Sequence, residues 1–137
     1  MVETDRPDDG RSIMVADSDV LVRHAIADYL RHCGYPVVEA ASFEEAIEVA
    51  EAAEFNTWLV LCDAQLRGGG NGFALRARLA ELRPEVTVIL AGNFDAAAKA
   101  AGELCEDGPH VARPYDSSVV IDRIRRARAA RQRDQGG

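Results

Sequence analysis

Two stretches of apolar residues in this chain each lead directly into an aspartate. Residues 13–16 precede Asp17, and residues 58–62 precede Asp63. Continuous apolar stretches are typical of strands in a parallel sheet that is covered on both faces, and open α/β sheets bind ligands at the carboxyl ends of such strands. If the two strands are neighbours, the two carboxylates share one pocket, where they repel each other unless a cation or a proton intervenes. The sequence therefore predicts a small, metal-assisted anionic site.

The rest of the pattern indicates the elements that must position these aspartates. Short apolar stretches alternate with segments of helical periodicity. The predicted strands cover residues 12–16, 37–38, 58–62, 86–90 and 111–112, and the predicted helices cover residues 19–33, 42–54, 73–82, 95–104 and a last segment that begins at Asp116 or Ser117. Ser42 and Glu45 form a capping-box pattern at the start of the second helix. This alternation predicts an α/β fold, a doubly wound parallel sheet of five strands with helices on both faces.

Length and composition predict a single globular domain. The chain has 137 residues, of which 47% are hydrophobic and 28% charged. No apolar stretch approaches the roughly 20 residues that a membrane helix needs. The N-terminal residues are acidic and lack the basic-then-apolar pattern of a signal peptide, which predicts a cytoplasmic protein without membrane contact. We expect a disordered tail at residues 1–11, the domain at residues 12–130 and a second tail at residues 131–137.

Charge is distributed unevenly along the chain. Residues 1–112 contain 20 acidic and 9 basic residues, whereas residues 113–137 contain 3 acidic and 7 basic ones. The acidic body argues against nonspecific binding of nucleic acid. The basic stretch at residues 123–133 is either the solvated face of a terminal helix or a surface for a partner.

The three cysteines offer no obvious chemistry. Cys33, Cys62 and Cys105 are odd in number and widely spaced. This spacing predicts neither a metal motif nor a disulfide framework, so we expect three buried, small apolar side chains.

Five segments of the chain, in order and at nearly the expected spacing, resemble the receiver domains of two-component response regulators, the CheY-like family. They are residues 13–23, 59–63, 71–73, 88–92 and 111–115. In the family these segments form the first strand with its acidic turn, the phosphoacceptor strand, the start of the third helix, the fourth strand with its switch position, and the lysine–proline–aromatic segment. The resemblance covers about residues 12–129 and implies the strand order 2-1-3-4-5.

The resemblance also implies a role for each residue at the strand ends. Asp63 corresponds to the phosphoacceptor, with Mg²⁺ held by Asp17, by Asp63 and by the backbone carbonyl of Gln65. Mg²⁺ suits such a site because it prefers about six oxygen ligands and retains several waters. The implied partners are a histidine kinase or phosphotransfer protein and an unidentified downstream protein, and we expect a monomer or a weak homodimer.

The chain departs from the family pattern at three positions. Ser18 stands where the family has a second acid, which removes one charge and one direct metal contact, and the adjacent Asp19 is a further metal candidate. Ala91 stands at the switch position without the usual hydroxyl. Arg113 replaces the family lysine, and the resemblance implies that it contacts the phosphoryl group. Tyr115 occupies the aromatic switch position. These departures predict weak Mg²⁺ binding and a weakened switch.

The loop after Asp63 differs from the family as well. It is one residue longer than usual, Arg67 stands where proline is common, and four of the five residues 68–72 are glycine. The loop is either a flexible lid or partner loop, or a turn that needs glycine for positive φ.

Three functions remain open from the sequence. We expect no output domain after residue 137, so the first is a stand-alone receiver that is phosphorylated on Asp63 and signals by protein contact, without enzyme activity. The second is a pseudo-receiver that keeps the fold and the docking surface but switches little or not at all. The third is a haloacid-dehalogenase-like phosphatase, because Asp17-Ser18-Asp19 also resembles the start of that family's motif. That family needs an acid pair at a later strand end, which residues 91–93 do not supply.

Overall fold

A computed structural model describes residues 10–107 and 116–136 of the chain. Strands and helices alternate as the apolar pattern predicts. In chain order the elements are β1 (Ser12–Ala16), α1 (Val20–His32), β2 (Val37–Ala40), α2 (Phe43–Glu51), β3 (Thr57–Asp63), α3 (Gly72–Leu82), β4 (Thr87–Ala91), α4 (Phe94–Asp107) and α5 (Ser117–Gly136). The α/β class is confirmed. The last helix continues to Gly136, where the sequence analysis places a tail from residue 131.

The sheet of the described residues has four strands in the order β2-β1-β3-β4, and every neighbouring pair is parallel. Five strands were expected, and the predicted fifth strand at residues 111–112 lies outside the described residues. The order confirms the expected arrangement of the first four strands. In particular β1 and β3 are neighbours, with Ala16 opposite Cys62, so the two aspartates that follow or end these strands lie at one edge of the sheet.

Alternate residues of the central strands enter two separate cores, one on each face of the sheet. Ile13 and Val15 of β1 pack with the helices α1, α4 and α5, whereas Met14 and Ala16 pack with α2 and α3. Because side chains alternate across a strand, two covered faces require the continuous apolar stretches seen in the sequence.

Local capping explains where the first two helices begin. The Asp19 side chain accepts hydrogen bonds from the backbone N–H groups of Leu21 and Val22 at the start of α1. At α2 the Ser42 hydroxyl accepts from the Glu45 N–H, and the Glu45 carboxylate accepts from the Ala41 N–H, one residue before the cap. The predicted capping box is thus present, shifted by one residue in its return bond.

Helix α5 lies antiparallel to α4. Near its start, Ser117 lies so close to Gly102 of α4 that a Cβ on that glycine would come within 2.9 Å of the Ser117 Oγ. Further along, Arg125 pairs with Asp95 in the first turn of α4 at 3.3 Å. Because α4 begins just after β4 ends, this direction carries the second half of α5 toward the carboxyl ends of the strands.

The cysteine prediction was wrong for two of the three residues. Cys33, at the end of α1, and Cys105, in the last turns of α4, form a buried disulfide between residues 72 positions apart, while Cys62 is free and buried. Sequence spacing does not reveal this pair because α1 and α4 become neighbours only when the sheet assembles.

An aromatic pair lies at the amino-terminal end of β3, away from the aspartates. Trp58, the second residue of β3, lies 6.4 Å from Tyr35 between ring centroids, and the Arg11 guanidinium lies 5.3 Å from the Trp58 ring. Because the strand runs from Trp58 toward Asp63, this cluster and Asp63 lie at opposite ends of β3.

Within the described ranges, 10–107 and 116–136, none of the helices has the length and apolar character needed to cross a bilayer.

Candidate functional site

Asp17 and Asp63 meet at the carboxyl edge of the two central strands. Asp17 follows β1 directly and is only 7% exposed, and Asp63 is the half-buried last residue of β3, opposite Ala91 of β4. The Asp17 N–H donates to the Ala40 carbonyl at 3.0 Å, and the Asp17 carboxylate accepts from the Asp19 N–H at 2.9 Å. Asp17 is therefore fixed by backbone bonds, which leave its second oxygen for other partners.

The electrostatics of Asp17 follow from its position. Burial raises the pKa of Asp17 to about 6; the hydrogen bond from the Asp19 N–H opposes this, and the negative charges of Asp63 and Asp19 add to it. The positive charge of Arg23 lowers the pKa of Asp17 by a smaller amount, so positive charge compensates this buried carboxyl only in part. The same environment makes Cys62 inert, because burial and then the charges of the two aspartates raise the pKa of its thiol to about 12.

The backbone after Asp63 folds tightly around this residue. The Gln65 N–H donates to the Asp63 carboxylate at 3.1 Å, and the Leu66 N–H donates to the Asp63 carbonyl at 3.1 Å. Gly72 packs against the same loop, where a Cβ would lie 2.5 Å from the Asp63 carbonyl oxygen. This close approach explains why the first residue of α3 is glycine. The role of the Gln65 carbonyl as a metal ligand stays a prediction.

The glycine-rich loop packs against the start of α2. Gly68 has a φ of +113°, and the Gly69 N–H donates to the Glu44 carboxylate at 2.6 Å. A Cβ on Gly70 would come within 2.9 Å of the Phe43 ring. These contacts favour the interpretation of the loop as a compact turn that needs glycine, over that of an open lid.

Ser18 joins two loops with its hydroxyl. Its Oγ donates to the Ala41 carbonyl at 2.9 Å and accepts from the Arg67 N–H at 3.0 Å. The hydroxyl thereby connects the turn before α2 to the loop after β3. Ser18 therefore stabilises the relative position of two loops beside the pocket.

Asp19 has partners in two helices. Besides capping α1, its carboxylate accepts a bond from the Arg128 guanidinium at 2.6 Å and lies 3.6 Å from that of Arg131. Burial alone would raise the pKa of Asp19, but the hydrogen bonds from Arg128 and from the Val22 and Leu21 N–H groups together hold it below its usual range. Asp19 is therefore a charged residue neutralised by α5, and a metal ion would have to compete with those arginines for it.

Of the two expected switch positions, the structure describes only Ala91. Ala91 ends β4, is 3% exposed and accepts the Ala64 N–H at 2.9 Å through its carbonyl. Its methyl group offers no hydrogen bond to a group on Asp63. Arg113 and Tyr115 lie outside the described residues, so their roles stay predictions.

Two adjoining cavities open onto the acidic edge. One, of about 400 Å³, lies toward Ser18 and Arg67, and the other, of about 310 Å³, lies toward Asp17 and Asn93. Both are lined by Asp19, Asp63, Gln65 and Arg128. The phosphoacceptor candidate therefore lines cavities whose walls contain both carboxylate and guanidinium groups.

The donor set fits Mg²⁺ only partly. Asp17 and Asp63 supply two carboxylates at neighbouring strand ends, and Mg²⁺ is commonly bound by one or two carboxylates with waters completing its shell. Throughout the described part of the chain, no three His, Cys, Asp or Glu side chains form a ready metal-binding group. The residues present could thus hold Mg²⁺ through two carboxylates and a backbone carbonyl, with the remaining ligands supplied by water and a bound anion.

Sequence reasoning missed the arginines of α5. Residues 123–133 were interpreted as a solvated helix face or a partner surface, whereas Arg128 and Arg131 lie at the acidic edge. No local signal could have placed them there, because Arg128 and Asp19 are separated by 109 positions.

Comparison with known proteins identifies relatives of the whole fold. The family model described as "Response regulator receiver domain" matches residues 13–125. A CheY-like receiver domain protein from Methanospirillum hungatei is 21% identical with a TM-score of 0.54, over 90% of this chain and 98% of that one. A signal receiver domain of an HD domain-containing protein from Pseudomonas fluorescens is 23% identical with a TM-score of 0.55, over 93% and 98% of the two chains.

A further solved structure bears on the site. The response regulator TrrA from Thermotoga maritima, in complex with Mg²⁺ and a beryllium fluoride, is 25% identical with a TM-score of 0.51, over 58% of this chain and 66% of that one. A comparison with curated proteins finds no match.

Proposed function

Because the chain belongs to the response regulator receiver domain family, we propose that it accepts a phosphoryl group on Asp63 and transmits this state through protein contacts. The observation that carries the proposal is the placement of Asp63 beside the buried Asp17 at the ends of neighbouring strands, next to a cavity that both residues line. The donor would be a histidine kinase or a phosphotransfer protein, and the recipient of the signal a further protein. Family membership favours this signalling role over the phosphatase hypothesis.

Asp63, Gln65 and Asp17 have different roles in the proposed transfer. A carboxylate oxygen of Asp63 attacks phosphorus, the bond from phosphorus to the donor nitrogen breaks, and that nitrogen retains the electron pair. The Gln65 N–H, which bonds the Asp63 carboxylate, orients the attacking group. Asp17, Asp63 and the Gln65 carbonyl would hold Mg²⁺, which neutralises charge on the transferred group.

Phosphorylation of Asp63 is tested by mass spectrometry of the intact chain after incubation with acetyl phosphate and Mg²⁺. We expect one phosphoryl adduct in the parent chain and none in Asp63→Asn. Asp28→Asn is a matched control, because Asp28 is a surface residue of α1 beside His32. An adduct that persists in Asp63→Asn, or that never forms in the parent, contradicts the proposal.

The pseudo-receiver remains the second candidate, and three observations support it. Ser18 uses its hydroxyl to brace two loops, Asp19 is paired with Arg128, and Ala91 offers only a methyl group. Such a protein would form the adduct poorly while keeping its docking surface. Acetyl phosphate labelling separates the two candidates.

A cytoplasmic location is part of the proposal, since the kinases and phosphotransfer proteins that would supply the phosphoryl group act there. The Cys33–Cys105 disulfide stands against it, because disulfides are rare in reducing compartments. Thiol labelling in denaturant, directly after the cells are quenched in acid, tests this point, because denaturation exposes the two buried cysteines. Labelling of Cys33 and Cys105 supports the cytoplasm, and protection of both contradicts it.

A further inference from the structure

Helix α5 brings a guanidinium group to the acidic edge of the sheet. Arg128 donates to Asp19 at 2.6 Å, and Arg131, one helical turn later, lies 3.6 Å from the same carboxylate. The Arg128 side chain is 43% exposed, so the ion pair is accessible to solvent and can exchange partners.

The position of Arg128 is fixed from a second direction by α4. Its guanidinium lies 4.9 Å from the centroid of the Phe94 ring, at the start of that helix. Arg125, one turn earlier in α5, lies 5.9 Å from the same ring and pairs with Asp95. The cation–π contact of Arg128 and the ion pair of Arg125 together keep this part of α5 beside the pocket.

Arg128 shares both cavities with Asp63. A phosphoryl group added to Asp63 would bring further negative charge and three strong acceptor oxygens into that space. Guanidinium is the side-chain group best matched to such oxygens, because its planar fork donates two parallel hydrogen bonds to them.

We propose that Arg128 is a phosphoryl-binding residue that moves from Asp19 to the phosphoryl group on Asp63 when Asp63 is modified, with Arg131 remaining beside Asp19. This inference rests on the proposed function of Asp63. The exchange couples the state of Asp63 to α5, because the ion pair between Arg128 of α5 and Asp19 at the start of α1 is given up when Arg128 changes partner.

The test uses beryllium fluoride with Mg²⁺ as a phosphoryl analogue on the full chain. Fluorine NMR of bound fluoride gives the dissociation constant of the analogue, and calorimetry gives that of Mg²⁺ alone. The variants are Arg128→Gln and Arg128→Lys, and Arg126→Gln is the matched control. Arg126 is two positions away on the same helix, and it lines a separate surface pocket with Val119 and Arg123.

We expect Arg128→Gln to weaken analogue binding about tenfold, the effect of losing one hydrogen bond to a charged group. Arg128→Lys should weaken it less, because charge is kept while the fork is lost. Mg²⁺ alone should bind Arg128→Gln as well as the parent or better, since a competing cation is removed. Arg126→Gln should match the parent in both measurements.

The possible failures are distinguishable. If the analogue binds Arg128→Gln as tightly as it binds the parent, the inference is wrong and the proposed function stands. Equal losses in Arg128→Gln and Arg126→Gln, or parallel losses of analogue and Mg²⁺ in Arg128→Gln, also overturn the inference, because they indicate net charge or general damage. If no analogue binds to the parent chain, the proposed function and the inference fail together.

Discussion

At the scale of single residues, the pocket differs from the expected family pattern at Ser18 and Ala91. The two side chains make different contacts in the structure. Ser18 replaces an acid with a hydroxyl that bonds to both neighbouring loops. Ala91 is buried, its backbone carbonyl accepts a hydrogen bond from the Ala64 N–H, and its side chain is a methyl group without hydrogen-bonding capacity. Relative to that pattern, Ser18 changes the charge of the pocket, and Ala91 removes a hydroxyl from the expected switch position.

Ser18→Asp is expected to tighten Mg²⁺ binding severalfold, because the charge of the ligands tunes affinity for divalent cations. Isothermal titration calorimetry measures the change. Ser18→Asn is the matched control, since it has nearly the same size without the charge and loses the same hydroxyl. Equal Mg²⁺ affinity in the two variants would show that position 18 is remote from the metal.

Ala91→Thr is expected to enlarge the amide shifts that phosphorylation causes in residues 91–104. Phosphorylation shifts the equilibrium between two conformations of a protein only through contacts that differ between those conformations. The added hydroxyl would supply one such contact. Two-dimensional NMR before and after treatment with acetyl phosphate measures the shifts. Ala91→Val has the shape of threonine without the hydroxyl. If the valine variant shows the same enlargement, packing and not hydrogen bonding is responsible.

At the scale of elements, β2 and α1 are joined by a network around Glu39. This residue of β2 pairs with Arg23 and Arg31 of α1, each at 3.1 Å. Burial alone would raise the pKa of Glu39, but the hydrogen bonds from Arg31 and Arg23 together hold it below its ordinary value of 4.5. The network therefore stabilises the fold only while Glu39 is ionised.

Glu39→Gln is expected to lower the free energy of unfolding by about 0.5–1 kcal/mol at neutral pH, a small value because solvent screens this network. Because the pKa of Glu39 is lowered in the folded state, Glu39 contributes fully to the free energy of unfolding above pH 4.5, the ordinary value of its pKa. This contribution is lost as the pH falls through the folded-state pKa. The difference between parent and variant should therefore narrow below about pH 4.5. Urea denaturation across this range measures it, and a difference independent of pH would contradict the assignment.

The elements themselves could be predicted well from the sequence, and their partners less well. The apolar stretches before Asp17 and Asp63 predicted two strands, and Ser42 with Glu45 predicted the start of α2, because periodicity and capping act over a few residues. Only the family resemblance implied that the two strands are neighbours. Residue contacts across the fold, such as Arg128 with Asp19, leave no such local trace. The pocket's carboxylates were therefore predictable and its guanidinium groups were not.

At the scale of the whole molecule, a disulfide joins two helices that the chain separates widely. Cys33 and Cys105 close a loop across 72 positions, and both are fully buried among the residues of the core under α1, α4 and α5. A crosslink of this span restricts the unfolded chain strongly.

The double variant Cys33→Ala, Cys105→Ala is expected to lose about 2–4 kcal/mol of the free energy of unfolding. Urea denaturation with and without dithiothreitol measures the loss. The parent should lose a similar amount in the reductant, whereas the double variant should not respond to it. Cys62→Ala is the control, since Cys62 is free and its variant should keep the response of the parent. A parent chain insensitive to reduction during unfolding would exclude the crosslink.

Trp58 stands at the far end of β3 from Asp63, and five residues of strand separate their backbones by about 16 Å. Its emission therefore responds to loss of the sheet and not to direct quenching by whatever binds at the aspartates. Denaturation followed by tryptophan fluorescence can accordingly be carried out with Mg²⁺ or beryllium fluoride present without an optical artefact from the ligand. The single tryptophan gives this protein an intrinsic unfolding signal that is spatially separated from its proposed chemistry, so ligand-induced stabilisation can be measured without attaching a dye.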